Sequence, residues 1–370
     1  MKKIKKVCHI STVHPLYDTR IFYKECTSLA NAGYNVSLVI QHIRSEIING
    51  IQVVPLPKPK NRLERLTKTS IHALALSCTT YADIYHFHDP EIFFIGLIFK
   101  LLGKKVIYDA HEDTPKQILS KQYIPKFFRP MVSKLAQFLE NFSAKKFDAI
   151  VCSTPTIRDR FLKLGCNAID VANYPLLSEF KSINPDWSKK DRAVCYVGNI
   201  VKIRGIFEIV EAISLTKGVK LFLAGNFVEK KEFETIKKRK GWENVEYLGF
   251  IDRYHLASVF SKSIAGLVIL HPTLNYIDAL PVKMFEYMAA GLPVIASNFS
   301  LWREIVEGNK CGICVNPLNP KEIAEAIMYL INNTDVAKEM GENGRNVVFE
   351  KYNWEIESNK LIELYNSLFN

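Results

Sequence analysis

One stretch limits what this chain can fold into more than any other: DALPVKMFEYMAAGLPVIAS, residues 278–297. It reads as a short loop, a helix, a stop and a buried strand. Pro281 sits where a first helical turn tolerates proline, since that position has no intrahelical N–H to lose. Gly291 supplies the left-handed backbone that ends a helix, and residues 292–296 run apolar like a parallel strand covered on both faces. A helix feeding such a strand belongs to a layered α/β unit. Its opening turn offers N–H groups without helical partners and the positive end of a dipole, which suits a phosphate. Asp278 precedes the helix and Glu286 lies within two turns of its start, so two acceptors for sugar hydroxyls stand near that phosphate position.

With 370 residues the chain is too long for one ordinary core and long enough for two domains. The basic opening MKKIKKVCHIS has too short an apolar run for a signal peptide. The longest apolar stretch, residues 92–102, contains Lys100 and covers about half a membrane span. Both point to a cytoplasmic protein without a spanning segment. Net charge is +11 and unevenly placed: residues 1–180 hold 25 Lys and Arg against 15 Asp and Glu, whereas residues 181–370 hold 24 against 23. The first half therefore expects an anionic partner, whether a membrane surface, nucleic acid or a phosphorylated substrate. Cys311 and Cys314 have CxxC spacing, but no second pair completes a zinc site and the pair leads into a strand. They read as small buried residues.

Strand and helix patterns alternate through the first half. Candidate strands lie at residues 7–10, 36–40, 53–56, 84–87, 105–108, 149–152 and 169–172, with helices at 21–32 and 91–102 stopped by Gly33 and Gly103. From residue 173 to 191 the pattern breaks, with Pro175 and Pro185 marking a linker. A second series follows at 194–197, 219–224, 245–248, 265–270, 293–296 and 313–315, with helices at 206–215 and 256–260. Helices at 320–332, 336–351 and 354–369 close the chain. Such alternation means βαβ units, hence two α/β domains with doubly wound parallel sheets. Ligands of these sheets bind beyond the carboxyl ends of the strands, so the expected site is a cleft between two facing domains.

Polar residues gather at those strand ends. The loop after the first strand holds His14, Asp18 and Arg20; it lacks the Gly-rich dinucleotide fingerprint, and Asp18 also reads as the cap of the next helix. His86, His88 and Asp89 follow another strand; a lone His-x-His with no third ligand is weak for metal, and Asp89 before Pro90 is a cap signal. His111 lies among Asp109, Glu112 and Asp113, which can tune it as a donor or base. Gly198, Asn199, Lys202 and Arg204 open the second domain as a diphosphate grip, and Gly225 and Gly249 allow close approach of a ligand to later strand ends. No Asp-x-Asp occurs, so protein cations, not a chelated metal, are expected at the diphosphate. Residues 116–146 carry seven Lys and Arg and one acid, interleaved with Phe127, Phe128, Met131, Leu135, Phe138 and Phe142. That pattern fits an interfacial helix on anionic lipid, or an ordinary helix packed on the sheet.

The stretch DALPVKMFEYMAAGLPVIAS resembles the donor-binding signature of family 4 retaining glycosyltransferases. YVGN with RG, LAGN, YLGF and CGICVNP follow in the family's order, and HPLYDTR, HFHDPE and YDAHED resemble a bacterial subgroup that builds cell-surface polysaccharides. The resemblance implies the GT-B fold: two Rossmann-like doubly wound domains, residues 1–180 for the acceptor and 181–353 for the donor, with helix 354–370 crossing back to the first. It implies that Glu286 binds the ribose, that Asp278 contacts the donor sugar and that Arg204 binds the diphosphate. Asn199 stands where relatives carry Arg, with Lys202 as a partial substitute. His111 matches a histidine beside the donor sugar. Leu280, Pro281, Val282 and Lys283 belong to the loop that presents amides to the donor. His14, Asp18, Arg20, His88 and Asp89 are assigned to the acceptor cleft. The implied reaction moves a hexose-type residue from a UDP- or GDP-sugar to the hydroxyl of a lipid-linked or glycan acceptor with retention. It needs no cofactor and no metal, and it takes place at the inner face of the cell membrane.

Competing readings remain at this level. A sugar-nucleotide epimerase or a phosphorylase uses the same architecture, and labelled donor without acceptor separates the epimerase. Asp278 and Asn199 also fit a non-catalytic sugar-nucleotide binder. A nucleic-acid partner is suggested by the charge alone, with no binding motif to carry it.

Overall fold

The computed structural model describes residues 5–121, 123–181, 183 and 186–369. Met1 to Ile4 of the basic opening and Pro185 of the expected linker lie outside the described residues. The chain divides into two units: residues 1–173 with 355–370, and residues 174–354.

The first unit holds β1 (Lys6–Pro15), β2 (Asn35–Gln41), β3 (Glu46–Ile48), β4 (Ile51–Leu56), β5 (Ile84–Phe87), β6 (Lys105–Ala110), β7 (Ala149–Cys152) and β8 (Ala168–Asp170). They form one sheet in the order β3-β4-β2-β1-β5-β6-β7-β8. All pairings are parallel except β3 with β4. The sequence pattern missed β3, whose three residues are too few to show a period. The order reverses between β1 and β5, the switch point at which a doubly wound sheet opens a crevice.

The second unit holds β9 (Ala193–Val197), β10 (Lys220–Ala224), β11 (Val245–Gly249), β12 (Ala265–Val268), β13 (Val294–Ser297) and β14 (Gly312–Val315). Their order is β11-β10-β9-β12-β13-β14, all parallel, with the switch between β9 and β12. Its core packs Val194, Leu221, Leu267 and Ile295 from four strands against Ile209, Ile213, Ile323 and Ile327 from helices. The signature helix runs Val282–Ala289, with Pro281 as its extended N-cap rather than in its first turn. Gly291, at φ 74, follows its end.

Among the described residues no helix is long and apolar enough to cross a membrane. The last helix, Trp354–Phe369, gives residues 355–369 to the first unit. There Glu357 accepts from the Ala172 amide at 2.7 Å, and Asn366 accepts from the Tyr34 hydroxyl at 2.9 Å.

Candidate active site

In the second unit the site starts where β9 stops. The Val197 amide donates to the hydroxyl of buried Tyr287 at 2.8 Å, which pins the strand end to the signature helix. The chain then turns through Gly198 at φ 120. A Cβ there would stand 3.2 Å from Lys283 Nζ and 3.9 Å from the Arg204 guanidinium. Gly225, at φ 135, closes β10 so tightly that a Cβ would overlap the Gly198 carbonyl. Two cations therefore border bare backbone at the carboxyl end of β9. The first amides of helix Val282–Ala289 have no partner within the helix and add donors beside them.

The two cations differ in state. Arg204 reaches the Asn199 carbonyl at 3.4 Å, and the Tyr196 hydroxyl donates to that same oxygen at 2.9 Å. Burial alone would lower Arg204, but Tyr196 and Tyr276 beside it hold it above its ordinary range, so it stays charged. Lys283 has a partly exposed stem and a buried Nζ, 3.8 Å from the Tyr196 ring centre and without a hydrogen-bond partner among the described residues. Burial first, and Arg204 second, push its ammonium well below the ordinary lysine range against the pull of Glu286. The charged form of a buried amine without a partner is costly, and an incoming anion offsets that cost and favours the charge.

The remaining donor-side residues surround this point. Glu286 is nearly buried and accepts from Arg253 at 2.7 Å; Arg253 also lies 3.6 Å from Glu179. Sequence reasoning missed Arg253, although it stands just past the carboxyl end of β11 and position alone could have flagged it. Asp278 is half-buried in the loop before Pro281, and the neighbouring Ala279 carbonyl is held by the Trp302 indole N–H at 2.7 Å. Asn199 is exposed. Lys202 is exposed as well, and its amide donates to the Glu232 carboxylate at 3.1 Å. The cation next to Arg204 at Gly198 is thus Lys283, from a helix 79 positions later in the chain.

In the first unit the polar residues converge at the β1/β5 switch. Asp109, buried at the end of β6, accepts from Arg20 Nε at 2.9 Å and, through its other oxygen, from an Arg20 terminal nitrogen at 2.8 Å. His111 Nε2 lies 2.7 Å and His88 Nδ1 3.0 Å from the same carboxylate. Burial would raise the Asp109 carboxyl, but Arg20 and then His111 hold it well below the ordinary carboxylate range. An ionised carboxylate only accepts, so His111 carries a proton on the Nε2 that faces it. Arg20 is buried, with its remaining donor on the Val171 carbonyl at 2.7 Å, so it orients Asp109.

Asp18 caps the following helix and also holds a histidine. One oxygen caps the following helix through the Arg20 and Ile21 amides, at 2.9 and 3.0 Å, and the other holds His14 Nδ1 at 3.0 Å. Asp89 departs from its expected cap: its side chain makes no cap hydrogen bond and instead takes the Thr12 amide at 2.6 Å and the Ser11 hydroxyl at 3.1 Å. Of the acids near His111, Asp113 caps helix Thr114–Ser120 and Glu112 holds the Gln117 side chain. The ring centres of His14 and His111 are 5.1 Å apart.

Two family models match the chain: "Glycosyltransferase Family 4" over residues 19–173 and "Glycosyl transferases group 1" over residues 178–347. Among curated proteins it is similar to the alpha-D-kanosaminyltransferase of Streptomyces kanamyceticus, 22% identical over 294 residues, which cover 75% of this chain and 74% of that one. Among solved structures it is similar in fold to sucrose-phosphate synthase of Thermosynechococcus elongatus, with TM-score 0.78, 19% identity and 99% of each chain covered. The Anabaena protein HepE in complex with UDP-glucose gives TM-score 0.75 at 15% identity, covering 98% of this chain and 99% of that one.

Proposed function

The chain is a family 4 glycosyltransferase of the GT-B fold, and from that premise we propose that it moves a hexose-type residue from a nucleoside diphosphate sugar to an acceptor hydroxyl with retention at the anomeric carbon. The observation that carries the donor assignment is the pairing of Arg204 and Lys283 at Gly198, where Lys283 Nζ is buried without a hydrogen-bond partner among the described residues. A diphosphate placed there would meet two cations and the amides of Val282 and Lys283. The HepE complex with UDP-glucose favours UDP as the first donor to try.

In the proposed step the bond from the anomeric carbon to the diphosphate oxygen breaks. The acceptor oxygen bonds to that carbon on the same face, and its proton passes to the leaving diphosphate. Arg204 and Lys283 stabilise the charge that develops on the diphosphate, in a setting already arranged before reaction. We assign Glu286 to the ribose, Asp278 and His111 to sugar hydroxyls, and Asp109 and Arg20 to holding the His111 ring in place. His14, His88 and Asp89 stay on the acceptor side of the proposal.

The acceptor is proposed to be lipid-linked, as in cell-surface polysaccharide synthesis. Support comes from helix Arg129–Ala144, which is built inside out: Ser133, Glu140, Ser143 and Ala144 are buried, while Met131, Leu135, Phe138, Leu139 and Phe142 are exposed. Phe127 and Phe128 extend the apolar stripe, and Lys126, Arg129, Lys134, Lys145 and Lys146 flank it. An exposed apolar stripe with basic flanks matches an anionic bilayer surface.

Transfer from labelled UDP-sugar tests the donor assignment. Arg204→Ala and Lys283→Met should each lower kcat by about 10²–10³. Lys283→Met should leave the donor-free melting temperature unchanged or higher, because it removes a buried amine that has no hydrogen-bond partner among the described residues. Wild-type transfer rates in both variants would refute the assignment.

A further inference from the structure

Inward from Asp109 lies a second polar cluster, of which the proposed reaction uses only His88. The register of β1 on β5 sets His9 opposite His86, and the two-residue strand period carries His88 to the same face. The helical turn Ile21–Cys26 lays Glu25 over them. All four side chains are buried, and one nitrogen or oxygen from each falls within 4.8 Å of the others. We propose that His9, Glu25, His86 and His88 bind one divalent transition-metal ion of the zinc type.

The distances fit a site that tightens on binding. His9 Nδ1 is 3.0 Å from His88 Nε2 and 4.0 Å from Glu25 Oε2, and His86 Nδ1 is 3.9 Å from the same oxygen. Ligands about 2.0–2.1 Å from a tetrahedral zinc stand about 3.3–3.5 Å from one another, so modest side-chain shifts close the set. The far side of two of the three rings is already tied down. His88 Nδ1 meets Asp109 at 3.0 Å and His9 Nε2 meets the Tyr365 hydroxyl at 3.1 Å, which is how outer groups orient metal-bound imidazoles.

The cluster also has an unmet need. Among the described residues neither oxygen of Glu25 has a hydrogen-bond partner, although Oε1 forms an ion pair with Arg20 Nε at 3.0 Å, and His86 Nε2 has none. Neutral imidazole is the ligand form, and three imidazoles with one carboxylate suit zinc or cobalt better than magnesium or calcium. The ion would tie β1, β5 and the first helix together, with Tyr365 of the last helix bonded to His9 Nε2; ligation through His86 Nδ1 would replace that atom's 2.8 Å hydrogen bond to Tyr365.

The full chain, stripped with chelator, reloaded with Zn²⁺ and desalted, should retain about one equivalent by elemental analysis. Loaded with Co²⁺, it should show visible bands of tetrahedral nitrogen and oxygen ligation without thiolate charge transfer. Glu25→Gln and His86→Asn should lose most of that retention, while cooperative thermal unfolding and protection of residues 5–173 from proteolysis report that the first unit of each variant is folded. If a variant does not fold, the wild-type melting temperature decides: Zn²⁺ should raise it reversibly by chelator. Retention near zero, retention unchanged in folded variants, thiolate bands or no melting shift would each overturn the site.

Discussion

His14 shows how single residues set the electrostatics of the first unit. Burial lowers it, but the hydrogen bond to Asp18 and the nearby Asp89 raise it above the ordinary histidine value. The folded state therefore binds the proton more tightly than the unfolded chain. This stabilisation is complete below about pH 6.5 and is lost as pH rises through the folded value. The ion pair is partly exposed, so the loss should be on the order of 1 kcal/mol or less. Thermal melts from pH 6 to 8 should show that decline in the wild type and a shallower one in His14→Gln; identical slopes would contradict it. The legibility of the site follows the same scale. Glu286 and Arg204 stand in local motifs that can be read from the string. Lys283 belongs to such a motif too, but its place beside Gly198 depends on how its helix packs on β9, and no spacing encodes that. His9 and Glu25 drew no attention in the sequence because their partners lie about 60 to 80 positions away and meet only through strand register.

Among the elements, helix Arg129–Ala144 departs furthest from ordinary packing. Its buried Glu140 takes the Tyr108 hydroxyl at 3.2 Å and pairs with Arg160 at 2.6 Å, so a charge sits where a hydrophobic residue is usual and the phenylalanines face out. Phe138→Asp with Phe142→Asp should abolish flotation with vesicles containing anionic phospholipid, and should leave transfer to a soluble acceptor within about twofold. Flotation equal to the wild type would separate the stripe from any membrane role. The sequence showed this stretch as amphipathic but left open which face looks inward, because periodicity carries no sign. Strands read well, since short β-branched runs between breakers have few alternatives. The helix after β1 was expected to be regular, yet it opens with a π-helical stretch, Ile21–Cys26, whose wider turn aims Glu25 at His9 and His86.

At the scale of the whole molecule, both units repeat one plan, a parallel sheet with its crevice at the point where strand order reverses. Donor should stabilise the second unit by mass action, by about 2.7 kcal/mol at a hundredfold excess over Kd. A thermal-shift series should therefore rank UDP-sugars above GDP-sugars in raising the melting temperature; the reverse order would reassign the nucleobase. The division of the chain also carries a consequence for its synthesis. The first unit uses residues 1–173 and then waits for 355–369, which bring Glu357 to the Ala172 amide and Tyr365 to His9 and His86. At about 5–20 residues per second a ribosome needs roughly ten to forty seconds to make the intervening stretch. During that interval the nascent first unit has two core histidines without their tyrosine and an exposed phenylalanine stripe. The second unit, continuous in the chain, can finish folding first, so the half that is translated earlier is the half that is completed last.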